Sequence, residues 1–155
     1  MKLNMRLDQK PQLKIGNSVA AILVNKTNQY YVMQLRDQKP EIFHPGCWGC
    51  FGGALEVGET NEEALRRELF EELEFQFESC KLFMEIGFEH FSLGLRPARR
   101  TYYEILVDEQ VVKGFILKEG QQVKALDGNN FVENMKSIPL DAFAVWSHMN
   151  QSLLE

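Results

Sequence analysis

The chain has 155 residues, 45% of them hydrophobic, which fits one domain, spanning residues 1–155, around one substantial core. A formal net charge of −5 argues against a nucleic-acid backbone as the main partner, because that task needs a basic face. No apolar run approaches the roughly 18 residues that cross a bilayer, residues 1–10 alternate charge with leucine, and the odd number of cysteines suits free thiols in a reducing compartment. No membrane association, no disulfide and a cytoplasmic location are therefore expected.

Residues 18–24 are small and β-branched, and in residues 30–36 apolar and polar positions partly alternate. With Asn25, Lys26, Thr27 and Asn28 between them, the two runs predict a β-hairpin. A loop over residues 37–46, punctuated by Pro40, Pro45 and Gly46, leads into Cys47, Trp48, Gly49, Cys50, Phe51, Gly52 and Gly53. Gly58 marks a second turn, and Thr60 with Glu63 forms a capping box at the head of a helix. That helix is rich in Ala, Leu, Arg and Glu, and nothing breaks it before the aromatic-rich residues 75–77. Residues 81–90, 100–107 and 111–117 predict three more strands. The tail over residues 140–153, after Pro139, predicts an amphipathic helix with Phe143, Trp146 and Met149 as its buried stripe.

Within the first helix, Glu68, Glu71 and Glu72 lie three and four positions apart and share one face, beside an apolar stripe of Leu65, Leu69 and Leu73. Like charges at this spacing repel by about a few tenths of a kcal/mol per pair even when exposed. A hard divalent cation with oxygen ligands relieves that repulsion, and Mg²⁺ suits carboxylates better than Zn²⁺, which prefers His and Cys. The blander reading is a solvated acidic face made of Glu62, Glu63, Glu68, Glu71, Glu72 and Glu74.

The spacing of Gly53, Glu59, the Arg67-Glu68 pair and the Glu71-Glu72 pair, continuing to Phe75, resembles the signature of the Nudix hydrolase family over its whole length. The chain departs from that pattern at Glu74, where the family usually has a helix-ending glycine, and at Phe51, where proline is common before the paired glycines. The resemblance implies an α+β Nudix fold with a mixed β-sheet between helices. It implies a Mg²⁺-dependent hydrolase, with Mn²⁺ as substitute, in which Glu68, Glu71 and Glu72 and the Gly52 carbonyl hold metal. By the same resemblance Glu59 and Arg67 brace the loop and helix. Glu119, in a Lys-Glu-Gly-Gln run similar to one in MutT-type members, is the candidate ligand or general base. Arg36 stands where relatives place a phosphate-binding arginine, and Trp48 and Phe43 are candidates to stack on a base or sugar, although core packing is the commoner role for such aromatics. Arg96, Arg99 and Arg100 rank second as phosphate contacts.

The implied substrate is a nucleoside diphosphate linked to another moiety such as a sugar, recognised by loops over residues 37–46 and 91–99. The alternatives are a nucleoside triphosphate pyrophosphohydrolase of MutT type and a nucleotide-binding module without turnover. Family analogy also implies a homodimer. Cys47 and Cys50, with His44 close by, form a Cys-x-x-Cys pair that suggests a redox dithiol or a zinc site. Cys80 and His90, the other ligand types, lie far along the chain, so two small thiols flanking Trp48 is the favoured reading. His90 and His148 are read as packing or surface residues.

Overall fold

The structure, a computed structural model, describes residues 16–89 and 96–154. Residues 1–10, His90 and most of the loop over residues 91–99 lie outside the described residues, so the readings made for them are not taken further. In chain order the elements are β1 (Ser18–Asn25), β2 (Tyr30–Leu35), β3 (Trp48–Gly49), α1 (Asn61–Leu73), β4 (Lys81–Phe88), β5 (Ala98–Leu106), α2 (Glu109–Lys113), β6 (Gln122–Asp127), α3 (Gly128–Asn134), α4 (Pro139–Met149) and α5 (Gln151–Leu154).

The sheet is mixed, in the order β3-β2-β1-β5-β4, with β6 on the free edge of β2. β1 lies at its centre, antiparallel to β2 and parallel to β5. Val19, Ala20, Ala21, Ile22, Leu23 and Val24 are all buried, because both faces of β1 are covered. Val19, Ala21 and Leu23 pack with Leu65, Leu69 and Leu73 of α1, while Ala20, Ile22 and Val24 pack with Phe131, Ala144 and Val145 of α3 and α4. The expected α+β arrangement, a mixed sheet between helices, is the one observed.

The hairpin leaves a fork. β1 and β2 pair only from Leu23 and Val32 to Asn25 and Tyr30, and beyond that they separate. Residues 48–49 run antiparallel to β2, and residues 51–54 return antiparallel to β1. The chain therefore turns inside the fork at Cys50, and the paired glycines sit at the centre of the sheet edge.

Three local expectations are corrected. Residues 111–117 do not form a strand: Asp108 accepts from Val111 N–H at 2.8 Å and caps the short α2, after which the chain runs on without strand pairing. β6 and α3 follow where no element was expected. On α4 the buried face is Asp141, Ala144, Val145, Ser147 and His148, whereas Phe143 and Trp146 stack on each other in solvent, 52% and 41% exposed. The helix turns a partly polar face inward because two of those polar groups, Asp141 and His148, find buried partners. His148 lies between the Tyr31 hydroxyl, 2.8 Å from Nδ1, and the Glu104 carboxylate, 2.7 Å from Nε2.

Candidate active site

α1 begins as its sequence dictates. The Thr60 hydroxyl accepts from Glu63 N–H at 3.3 Å, and Glu63 reaches back to Thr60 N–H at 2.8 Å. Its other end rests on the departure from the family pattern. Glu74 takes the left-handed conformation, φ 51° and ψ 29°, and donates its N–H to the last-turn carbonyls of Leu69 and Phe70. A glutamate thus makes the turn that glycine usually makes, with its carboxylate paired to Lys118.

The remaining carbonyls of that helix end organise the next part of the site. Ile116 N–H donates to Leu73 O at 3.0 Å and Lys118 N–H to Glu72 O at 2.8 Å. This pairing carries the chain back along the end of α1 and brings Glu119 close enough for its charge to act on both Glu68 and Glu72. Gly120 then turns the chain, with φ at 86°, into β6.

Arg67 gathers the glutamates on the outer side. Its Nε and one terminal nitrogen bind Glu59 in a fork at 2.8 and 2.9 Å, and the Ala54 carbonyl accepts at 3.0 Å. The other terminal nitrogen reaches Glu68 at 2.7 Å and Glu71 at 3.3 Å. The Arg67 fork, helped by Glu56 N–H, holds the Glu59 carboxyl down to about 2. Burial pushes Glu68 up despite Arg67, with Glu71 and Glu119 adding to the rise. Glu71 faces solvent, its side chain 53% exposed.

Glu72 is different. It is 5% exposed and accepts from Gly52 N–H at 2.9 Å and more weakly from Gln34 at 3.4 Å. Among the described residues no ion pair reaches it. Burial first, then the charges of Glu68 and Glu119, push its carboxyl up to about 8. The glycines make this approach fit: Gly52 has φ at 134° and a side chain there would strike the backbone of Val19 and Ala20, while a Cβ on Gly53 would strike the Glu68 carboxylate.

The donor set is hard oxygen with excess negative charge, which fits a divalent ion such as Mg²⁺. Among the described residues no three His, Cys, Asp or Glu groups already stand in a cage, since Glu68 is turned to Arg67 and Glu72 to Gly52. The same absence covers Cys47, Cys50 and Cys80, all of them free thiols, and burial pushes Cys50 well above the ordinary thiol range.

Of the remaining candidates, Arg36 is half-buried at the loop over residues 37–46, with its Nε donating to Phe43 O at 2.9 Å. Phe43 is 39% exposed, whereas Trp48 is 9% exposed and packs in the core with Met33 and Tyr102. Arg99 pairs with Glu85 at the surface, and Arg100 turns inward to Asp141 at 3.0 Å. Two residues escaped the sequence reading. Gln34 joins Glu72 to the Glu119 carbonyl, which it reaches at 3.0 Å. Its one signal was an amide on an otherwise apolar strand. Asp141 accepts from Cys50 N–H at 2.8 Å across 91 residues of chain, and no local pattern announces that.

A model of the NUDIX domain matches residues 14–151 of the chain. Nucleoside triphosphatase NudI of Enterobacter sp. (strain 638) is 66% identical over 29 residues, a stretch that spans 19% of this chain and only 21% of that protein. Among solved structures, the E. coli dihydroneopterin triphosphate pyrophosphohydrolase superposes with a TM-score of 0.66 at 19% identity, covering 90% of this chain and 99% of its own. The NUDIX domain of Shewanella oneidensis NrtR complexed with ADP ribose gives 0.70 at 16% identity, covering 95% and 94%. At these identities the structural likeness speaks for the fold.

Proposed function

The chain belongs to the NUDIX domain family, and on that premise we propose that it is a pyrophosphohydrolase that cleaves a phosphoanhydride bond in a small nucleotide-like substrate. The observation that carries this reading is Glu72, a buried carboxylate with no cation of its own among the described residues, next to Glu68 and within the field of Glu119. Glu68, Glu71 and Glu72, with the Gly52 carbonyl, would hold Mg²⁺, for which Mn²⁺ can substitute. When bound, the ion neutralises the diphosphate and makes a water more acidic. Glu119 accepts the proton of the attacking water. Arg67, clamped by Glu59, keeps the end of the glycine segment and the outer carboxylates in place. Arg36 contacts phosphate, and Phe43, the more exposed of the two loop aromatics, offers a face to base or sugar.

Two substrate classes fit. The resemblance in the signature alone points to a nucleoside diphosphate joined to a sugar or similar group. A nucleoside triphosphate is favoured by two observations: Glu119, matched to MutT-type members, lies beside the carboxylates, and the relative matched over 29 residues is named as a nucleoside triphosphatase. The test is a panel of NDP-sugars, ADP-ribose, dinucleoside polyphosphates and normal and oxidised dNTPs, with Mg²⁺ or Mn²⁺ and with products identified. Release of pyrophosphate from a dNTP selects the second class, and a nucleoside monophosphate with a sugar phosphate selects the first. Tight ligand binding with no product from any compound would make the chain a binding module instead.

A further inference from the structure

In the fork between β1 and β2, the odd-numbered residues of the turning segment take the strand hydrogen bonds. Gly53 O accepts from Val19 N–H and Phe51 O from Ala21 N–H, both at 2.9 Å. The N–H groups of Cys50 and Gly52 are left without a strand, and a carboxylate from each helical layer takes one: Asp141 from α4 and Glu72 from α1.

The placement of Asp141 is built in several steps. Trp48 N–H donates to Lys136 O and Ile138 N–H to Trp48 O, both at 2.8 Å, so β3 fixes where α4 starts. Pro139 opens the helix, and Asp141 falls in its first turn. There it is 0% exposed and held by the Tyr102 hydroxyl at 2.7 Å and Arg100 Nε at 3.0 Å. Gly49 permits the contact, because a Cβ at that position would lie 2.7 Å from Asp141 Oδ2 and 2.5 Å from Ile138 Cδ1.

We propose that Asp141 is a positioning residue for the catalytic carboxylates: through Cys50 N–H it fixes the turn that presents Gly52 to Glu72. The proposal rests on the hydrolase reading above, and Asp141 itself touches neither metal nor substrate.

The decisive variant is Asp141→Leu combined with Arg100→Met, which removes the buried pair together and leaves neither charge alone. The expected result is a chain that melts cooperatively but binds Mn²⁺, followed by its electron paramagnetic resonance, about 10-fold or more weakly, as for lost outer-shell partners of metal sites. kcat falls by a similar factor while KM changes little. A folded double variant with unaltered Mn²⁺ affinity and kcat overturns the proposal. If the double variant does not fold, Gly49→Ala carries the same test, since it displaces Asp141 and leaves both charges in place. If the unaltered protein neither binds Mn²⁺ nor hydrolyses any substrate, the hydrolase reading fails by itself. The positioning role is then judged by amide exchange at Gly52, which quickens in the variant if Asp141 fixes the turn and is unchanged if it does not.

Discussion

Asp141 and Glu72 perform the same backbone task two residues apart, each accepting an otherwise unpaired N–H of the turn at residues 48–54, and both are buried. Their surroundings are opposite. Asp141 is met by the Arg100 guanidinium and the Tyr102 hydroxyl, so its charge is balanced within the protein. Glu72 is met by a backbone amide, a distant Gln34 amide and the fields of two further carboxylates, and among the described residues no cation approaches it. On the proposed reading, the difference separates a carboxylate balanced within the protein from one kept for a cation supplied from outside, which charge counting along α1 cannot do.

The comparison breaks most visibly if each carboxylate is removed alone. Asp141→Ala leaves Arg100 buried without its counter-charge and should cost about 3–5 kcal/mol in urea unfolding. Glu72→Gln should do the reverse: the metal-free protein stays as stable or gains at neutral pH, because folding no longer has to bury a carboxyl that must first take up a proton. Turnover with Mg²⁺ should meanwhile fall about 100-fold or more, about 2.7 kcal/mol at 1.36 kcal/mol per decade. If both variants lost stability alike, Glu72 would be a structural carboxylate and the metal reading would lose its main support.

The same contrast sets a pH dependence. The Glu72 carboxyl has an ordinary value of 4.5 and is raised to about 8 in the folded state, burial first among the causes. Between those values the folded chain holds a proton that the unfolded chain has released, so the contribution is full below the lower value and is lost as pH rises through the upper one. The metal-free melting temperature should therefore fall between pH 5 and 8, and Glu72→Gln should flatten that slope. Mn²⁺ should raise the melting temperature more at pH 8 than at pH 5, because there it has fewer protons to displace. Glu59 works in the other direction: Arg67 holds it down to about 2, and its contribution is present above 4.5 and lost as pH falls towards that lower value.

What could be read from the sequence followed the range of the interactions. The capping box at Thr60, the leucine stripe and Glu68, Glu71 and Glu72 lie within one short helix, so spacing alone grouped those three carboxylates, while Glu59 and Arg67 were reached through the resemblance to the family signature. Residues 111–117 misled because Val111 and Val112 look like strand residues, and the Asp108 cap that starts α2 shows itself only in the structure. β6 escaped because, as an edge strand, it buries only Leu126 fully and shows little alternation. Gln34 and Asp141 act through contacts 38 and 91 residues apart, and neither has a local partner to betray it. Trp48 stands beside the glycines in sequence, where a substrate role and the commoner core role are both readable, and β3 turns it into the core.

The smallest expected effect sharpens the comparison at the end of α1. Glu74 holds a left-handed conformation, φ 51°, that disfavours a side chain, and its ion pair with Lys118 is at the surface. Left-handed placement of a non-glycine residue costs about 1–2 kcal/mol, whereas an exposed ion pair contributes about 0–1 kcal/mol. Glycine also gives the unfolded chain more freedom, by about 0.4–1 kcal/mol relative to alanine. Glu74→Gly should therefore stabilise the protein by less than about 1 kcal/mol, with Mn²⁺ affinity unchanged, because Lys118 N–H still donates to the Glu72 carbonyl and Glu119 stays in place. A loss of Mn²⁺ affinity in this variant would mean that the Lys118 pair, rather than the backbone bonds at Ile116 and Lys118, carries Glu119 to the site.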